Sequence, residues 1–344
     1  MFPASVYSII RRITCFSILV LLLPLSCKKD ELINDFPATV RFDITNRLLE
    51  GKHIDCIATD TKGNICIASG KELYYTNNRI FKSYSLDFQI LDLAIAPDET
   101  VWIGTNGGGL GQFTGKDFIW YTNANAGLPR DYIKNVKIAP NGNIWFTSCA
   151  FKLGGLGIFD GKRFEFLTPE NSPLNQNIIT DIEIDQAGVI YIATSGTVGK
   201  TNVYRISENS WECLGEEKGT FYWVWSFTVG PSGNIYLVED FSLSSYWPNP
   251  NKLFEFRDNK WQRINTDNVP EMGFFSPLIS DKRNYCWVAA NLNDSAVLYV
   301  YDGKSWKSSP QGTFPNDMIT TLKVDSNNNI WVGTYNNGVF IINQ

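Results

Sequence analysis

Few residues in this chain have types and spacings that suit catalysis. The sequence contains one histidine, His53, and its seven cysteines include no Cys-x-x-Cys pair. A single histidine leaves little room for histidine-based triads or metal sites, and the cysteine spacing is not that of a zinc or thioredoxin-type motif. The remaining candidates for acid or base chemistry are His53, Asp92, Tyr132, Asp181 and Asp317.

Aromatic residues are the stronger candidates for ligand binding. The predicted binding residues are Tyr132, Tyr222, Trp223, Tyr246, Trp247 and Phe274. Aromatic side chains offer a large contact area at a low entropic cost, which suits stacking on sugar rings or gripping a peptide. The alternative is that these rings only pack down the long loop near residue 245.

An internal repeat provides the elements that would position these residues. The repeat is anchored by one residue, aromatic in six of seven copies, with a mean spacing of about 44 residues. The seven anchors are Cys66, Trp102, Trp145, Tyr191, Tyr236, Trp287 and Trp331. A period of this length is typical of repeat architectures and therefore decides the fold class.

The columns of the repeat have consistent chemistry. Twelve positions before the anchor all seven residues are apolar, and three positions before it six of seven are Gly or Asn. Gly and Asn tolerate the positive φ of a tight hairpin turn. Each repeat therefore predicts a strand pair around a turn, followed by a third strand and a fourth that ends near an aromatic residue.

Four short strands per repeat predict an all-β fold, a seven-bladed β-propeller of four-stranded antiparallel blades. The last repeat ends after its third strand, and segment 39–45, with Phe42 at the aromatic position, has the pattern of an unpaired fourth strand. We expect this N-terminal strand to complete the last blade and close the ring, which removes exposed strand edges.

The propeller geometry indicates where a ligand would bind. Residues just before the first strand should surround the mouth of the central channel, and they differ from repeat to repeat. Ten positions before the anchor, Asp92, Asn135 and Asp181 would face the channel. They could coordinate Ca²⁺, but hydrogen bonding to backbone and water is the favoured expectation.

The acids six positions before the anchor, Asp60, Asp185, Asp281 and Asp325, are predicted to stabilise turns.

The N-terminus has the pattern of an export signal. Arg11 and Arg12 precede an apolar run over 13–25, which is followed by Cys27. The run is shorter than the roughly 20 residues that a membrane span needs. The pattern resembles a bacterial lipoprotein signal, although Pro24 lies where that motif prefers Leu. We predict a signal peptide over 1–26, a tether over 27–37 lipidated at Cys27, and a propeller over 38–344.

The charged residues after Cys27 suggest a location. Residues 28–31, Lys-Lys-Asp-Glu, resemble the export tag of surface lipoproteins in the Bacteroidetes group. That resemblance implies an outer-membrane lipoprotein on the cell surface, or otherwise on the periplasmic face. The alternative is that these charges only keep the tether solvated.

The repeat itself resembles a known family. The pattern Ile-x-Asp-x-x-Gly-x-Ile-Trp-x-Gly-Thr, followed by Gly-Leu-x-x-Phe-Asp-Gly, is similar to two-component regulator propeller repeats, over roughly residues 50–344. In that family the repeats form periplasmic sensor domains in carbohydrate-using bacteria. Cys66 departs from the pattern in the first repeat, and no kinase or receiver segment follows, so phosphotransfer is not expected.

Together these patterns predict a lipid-anchored envelope module for binding or sensing. The expected partner is a glycan or an envelope protein, and the net charge of −5 gives no reason to expect nucleic acid. We predict no catalytic residues, no cofactor and no metal. The alternatives are a propeller enzyme resembling a polysaccharide lyase or a lactonase, and a structural scaffold within an envelope complex.

Overall fold

The computed structural model describes residues 40, 42 and 44–344, apart from the gaps 78–79, 151–152, 196–200, 208–209, 216–220, 222, 240–251, 267–268, 270–273, 293–294 and 315–316. The predicted signal peptide, the tether and Cys27 lie outside the described residues. Within the described part, no helix is long and apolar enough to cross a membrane.

The described residues form seven antiparallel sheets of four strands each, so the predicted seven-bladed β-propeller is confirmed. Blade 1 contains β2 (Cys56–Thr59), β3 (Ile65–Ser69), β4 (Glu72–Asn77) and β5 (Ile80–Ser85). Blade 2 contains β6 (Gln89–Ile95), β7 (Val101–Asn106), β8 (Leu110–Phe113) and β9 (Phe118–Tyr121). Blade 3 contains β10 (Ile133–Ile138), β11 (Ile144–Ala150), β12 (Leu153–Phe159) and β13 (Phe164–Leu167).

The second half of the ring repeats this order. Blade 4 contains β14 (Ile178–Ile184), β15 (Ile190–Ser195), β16 (Val203–Ser207) and β17 (Ser210–Cys213). Blade 5 contains β18 (Val224–Val229), β19 (Ile235–Glu239), β20 (Lys252–Arg257) and β21 (Lys260–Arg263). Blade 6 contains β22 (Phe274–Ser280), β23 (Cys286–Leu292), β24 (Ser295–Tyr301) and β25 (Trp306–Ser308). Blade 7 contains β26 (Ile319–Val324), β27 (Ile330–Thr334), β28 (Val339–Ile342) and β1 (Ile44–Leu48), and one short helix, α1 (Asn123–Ala126), precedes β10.

The turn between the first two strands has the same backbone conformation in every blade. The residue three positions before the anchor has a positive φ in all seven blades: Gly63, Glu99, Gly142, Gly188, Gly233, Asn284 and Asn328. Six of these are the Gly and Asn residues that the sequence singled out. Glu99, at φ 72°, adopts the same conformation without their conformational freedom.

The hydrophobic core is distributed around the ring. Each of seven buried clusters lies between two neighbouring blades, and the last joins Ile54 and Ile67 of blade 1 to Trp331 and Val339 of blade 7. The first strands also pack against one another in sequence, and β26 packs against β2. The ring is therefore closed by side-chain packing as well as by strand pairing.

The N-terminal strand completes blade 7, as expected, because β1 pairs with β28. It begins at Ile44, later than the segment 39–45 predicted from the sequence. The preceding residues contact blade 6 instead: Phe42 makes an edge contact with Trp287 at 5.7 Å, and the Lys307 ammonium donates a hydrogen bond to the Val40 carbonyl. These contacts attach the N-terminal segment to two blades.

Candidate functional site

The seven first strands surround one continuous central channel of about 750 Å³. Its wall includes Tyr132 and Trp225 near the end where the first strands begin, and Asp185 and Asp325 near the end where they finish. We call the first of these ends the mouth. A cavity of this size lies within the range of about 300–1,000 Å³ that is typical of small-molecule sites.

A repeated β-bulge determines which side chains face the mouth. In six blades the pairing of the first two strands shifts register just after the residue twelve positions before the anchor. Such a bulge redirects the neighbouring side chains. As a result Trp225 and Lys134, both eleven positions before the anchor, line the channel. These two residues could not be identified from the sequence, because a regular strand alternation assigns that column no role.

Trp225 is the most exposed large hydrophobic residue among those described, at 51%. The Lys134 ammonium lies 6.0 Å from the centroid of its ring and donates a hydrogen bond to the Thr180 carbonyl. Three further exposed hydrophobic residues, Phe88, Met318 and Tyr335, lie at the same end of the blades. Of these four residues Trp225 lines the channel, whereas Phe88 lies over blade 2, 6.2 Å from the ring of Trp120 on the outer strand β9.

His53 and Asp55 form a polar pair at the mouth. His53 Nε2 lies 3.4 Å from Asp55 Oδ1, and the His53 ring makes an edge contact with Tyr335 at 4.6 Å. Within the described residues, the buried Nδ1 atom of His53 has no hydrogen-bond partner. Asp55 also accepts hydrogen bonds from the Gly70 amide and the Gln89 side chain. The pair is therefore oriented by blades 1, 2 and 7.

The predicted channel acids accept hydrogen bonds from backbone amides. Asp92 accepts hydrogen bonds from the amides of Leu93 and of Val136 in the next blade, at 2.9 and 2.8 Å. Asp181 accepts from the amides of Ile182 and of Phe227 in the next blade, at 2.9 and 3.2 Å. These bonds join neighbouring blades and agree with the expectation of hydrogen bonding to the backbone.

Asp181 also accepts a hydrogen bond from the Asn135 side chain, which brings together two of the three residues considered for Ca²⁺. No cluster of three or more His, Cys, Asp or Glu residues suitable for a metal ion occurs in the described part of the chain. Burial and the nearby Glu183 charge raise the pKa of Asp181 to about 6, against the opposing effect of Lys137. Burial likewise raises the pKa of Asp92.

A charged layer lies deeper in the channel, eight positions before the anchor. Lys137 and Glu183 form an ion pair at 3.1 Å, and Lys323 lines the same layer. Burial disfavours the charge on Lys137, but the carboxylates of Glu183, Asp92 and Asp181 outweigh burial and raise its pKa. Burial and the positive charge of Lys137 lower the pKa of Lys323.

The remaining acids have structural roles. Asp317 is 1% exposed and accepts hydrogen bonds from the amides of Met318, Asn336 and Asn337. The four turn acids bind turn amides as predicted, for example Asp325 with the amides of Asn327 and Asn329. In blades 6 and 7 the turn acid also accepts a hydrogen bond from the anchor indole, at 3.0 Å in each case.

The predicted aromatic residues have different locations. Tyr132 lines the channel mouth, whereas Trp223 is half-buried directly before β18 and outside the channel wall. Phe274 begins β22, and its side chain is outside the described part of the structure. Tyr222, Tyr246 and Trp247 also lie outside the described residues. Phe221, next to this group, is 2% exposed and packs against Phe254 and Trp261 in the core.

The cysteines pack as small residues. Cys56, Cys66 and Cys286 are free and buried, as expected from their strand positions, and Cys213 is free and exposed. Burial is the main cause that raises the pKa of each of the three buried thiols, which keeps them protonated and unreactive.

The family comparison agrees with the resemblance found in the sequence. Residues 313–336, at the start of blade 7, match the family model described as two component regulator propeller. The resemblance to these repeats is thereby confirmed. No curated protein matches the chain in sequence.

Several solved structures share the fold. The extracellular domain of a hybrid two component system from B. thetaiotaomicron is 17% identical, with a TM-score of 0.62, and the match covers 87% of this chain and 41% of that one. Virginiamycin B lyase from Staphylococcus aureus is 14% identical, with a TM-score of 0.65 and coverages of 87% and 98%. YCF48 bound to D1 peptide is 12% identical, with a TM-score of 0.64 and coverages of 87% and 94%.

These identities establish a common fold and no more. The chain spans less than half the length of the B. thetaiotaomicron domain. The similar propellers include sensor domains, a peptide-bound protein and a lyase, so the function must be argued from the residues of the channel.

Proposed function

We propose that this chain is a saccharide-binding module of the cell envelope, and that its ligand binds at the channel mouth against Trp225. The observation that supports the proposal is the 51% exposure of this ring at the opening of a channel of about 750 Å³. Burying a large exposed aromatic ring is favourable when a ligand covers it. Sugar rings present flat apolar faces that suit such a surface.

The polar groups around Trp225 fit the same function. Lys134 is held beside the ring by the Thr180 carbonyl, and Tyr132 lines the wall one blade away from that carbonyl. These groups could fix the orientation of a bound sugar through hydrogen bonds to its hydroxyls. Trp223 and the aromatic residues predicted near it, Tyr222, Tyr246, Trp247 and Phe274, are proposed to extend this surface beyond the channel wall.

The hydrogen bonds and the burial of the acids near the channel favour binding without catalysis. The carboxylates of Asp92 and Asp181 accept backbone hydrogen bonds, and Asp317 is buried beneath a loop. A general acid or base must reach the proton that it transfers. These three groups are instead engaged with the protein itself.

A glycan array probed with the full chain, purified in detergent, tests the proposal. We expect Trp225→Ala to abolish binding to the glycans that the unmodified chain selects, and Trp223→Ala to weaken it. Ile119→Ala is the matched control, because Ile119 is 46% exposed on the outer strand β9 and far from the channel. An array without binding, or with binding that survives Trp225→Ala, would contradict the proposal.

The proposed location rests on the N-terminal pattern. We propose that lipid attached to Cys27 anchors the propeller to the outer membrane, with residues 28–37 as the tether, so that the propeller is exposed at the cell surface. Metabolic labelling with an alkyne fatty acid should modify the chain and should fail with Cys27→Ser. Labelling that persists in this variant would contradict the anchor, and resistance to protease added to intact cells would contradict surface exposure.

An enzyme is the second candidate, because His53 and Asp55 form a possible base and its orienting acid at the mouth. Turnover of a polysaccharide or a lactone that is lost with His53→Ala, and reduced with Tyr132→Phe, would favour this class. Full turnover after joint substitution of both residues would exclude them as the catalytic pair.

A further inference from the structure

We infer that the channel binds the carboxylate of an acidic sugar between Lys323 and Lys137. The inference rests on the proposed saccharide function and specifies the chemical class of the ligand. It is based on the order of residues around the charged layer and on the partners of each charge.

The charged layer has an open side between the two lysines. Going around the ring from blade 7, the layer contains Lys323, Ala58, Ala94, Lys137, Glu183, Thr228 and Ile279, all of which line the channel. The two blades between Lys323 and Lys137 therefore contribute only methyl groups. Longer side chains at these two positions would fill part of the channel. Because they are absent, that space is open, and the ammonium groups of Lys323 and Lys137 lie on either side of it.

The two lysines differ in their partners. The Lys137 ammonium is paired with Glu183 at 3.1 Å. For the Lys323 ammonium, the described part of the chain provides neither an ion pair within 4.0 Å nor a hydrogen bond. A partly desolvated ammonium without a counter-charge is unfavourable, and an anion bound beside it would remove that cost.

Glu183 and Asp92 attract the Lys323 charge, but in the described part of the chain no acid forms an ion pair with its ammonium. Asp92 and Asp181 accept the hydrogen bonds from two neighbouring blades described above, which hold their carboxylates against the wall. Asp55 is engaged at the mouth by Gly70 and Gln89. Burial and Lys137 lower the pKa of Lys323 more than Glu183 and Asp92 raise it, which agrees with a positive charge that is only partly compensated at this position.

The path from the mouth favours a sugar as the carrier of the carboxylate. Trp225 and Lys323 line the same continuous cavity, and three strand positions, or about 10 Å, separate their columns along the channel. A saccharide could therefore stack on Trp225 at the mouth and place an acidic ring beside Lys323. The channel volume of about 750 Å³ is sufficient for such a ligand.

Lysine protection measures this site directly. The full chain is treated with a reductive methylation reagent in the presence of galacturonic acid, galactose or glutarate, and the modification of each lysine is followed by mass spectrometry. We expect galacturonate to slow methylation of Lys323 by about tenfold at ten times its Kd. Galactose, which has the same ring without the carboxylate, should not protect. The exposed Lys116 is the internal control.

Three results would overturn the inference. These are unchanged methylation of Lys323 with galacturonate, equal protection by galactose, and equal protection by glutarate, which has the charge without the sugar. As a second measurement, Lys323→Met should remove the preference of the chain for an acidic oligogalacturonate over its methyl ester. An unchanged preference would also count against the site.

The outcome is separable from that of the proposed function. If Lys323 is not protected while glycan binding still depends on Trp225, the lysine site is wrong and the saccharide-binding function stands. If galacturonate protects Lys323 but no glycan binding depends on Trp225, the proposed role of the mouth is wrong and the channel site stands.

Discussion

Glu99 shows at the scale of one residue how the repeat constrains the backbone. It adopts φ 72° at the turn position where the other six blades have Gly or Asn. Its carboxylate pairs with Lys62 at 2.9 Å, but both side chains are exposed to solvent. An exposed pair contributes little to stability, whereas the left-handed conformation costs a non-glycine residue about 1–2 kcal/mol.

Two substitutions at position 99 separate these effects. Both Glu99→Gly and Glu99→Ala remove the ion pair, but only Gly relieves the backbone. We expect the Gly variant to be more stable than the Ala variant by about 1 kcal/mol, measured by urea unfolding. Equal stability of the two variants would show that this turn is not strained.

Asp181 provides a pH-dependent prediction. Its pKa is about 6 in the folded protein, above the ordinary value, because of burial and Glu183. Between about pH 4 and 6 the folded state retains a proton that the unfolded state has lost. Ionisation of Asp181 therefore lowers the stability as the pH rises through this window.

We expect Asp181→Asn to remove this component, so that the stability of the variant declines less than that of the unmodified chain between pH 4 and 6. Unfolding in urea at a series of pH values measures the difference. A parallel pH dependence in both proteins would contradict the raised pKa.

Individual residues also show which features of the site can be predicted from the sequence and which cannot. The polar column of Asp92 and Asp181 was predicted correctly to bind backbone, because its spacing places it inside a first strand. Trp225 was overlooked because a bulge, which depends on the pairing of two strands, redirects its side chain. A single sequence shows strand alternation but not where the register shifts.

At the scale of elements, the strands and turns were predictable because the repeat supplies seven versions of each column. A turn with Gly or Asn in most copies, and apolar columns on both sides of it, indicates one strand pair in every blade. The closing strand has only one copy. Its existence followed from the missing fourth strand of blade 7, but its start did not, because Val40 and Phe42 contact blade 6.

The contact of Phe42 gives a prediction for the closure. Phe42→Ala removes the edge contact with Trp287 and half-buried apolar area, so we expect the free energy of unfolding to fall by about 2 kcal/mol. Asn46→Ala, at an exposed position of β1, is the matched control and should be nearly neutral. Equal effects of the two substitutions would indicate that Phe42 contributes little to ring closure.

At the scale of the whole molecule, closure brings residues that are distant in sequence to one opening. Tyr132 and Trp225 come from blades 3 and 5 and line the same mouth because each blade presents its first strand to the channel, and His53 of blade 1 contacts Tyr335 of blade 7 at the same end. The sequence predicted this convergence from the repeat. It could not predict that the column eleven positions before the anchor also faces inward, because that depends on the bulges.

Hydroxyl-radical footprinting, with and without a glycan selected on the array, locates the ligand on the full chain most directly. If the ligand binds at the mouth, oxidation of Trp225 and Met318 decreases in its presence, while oxidation of Ile119 on the outer strand β9 is unchanged. Protection confined to the outer strands, with Trp225 oxidised at the same rate in both samples, would contradict binding at the channel mouth.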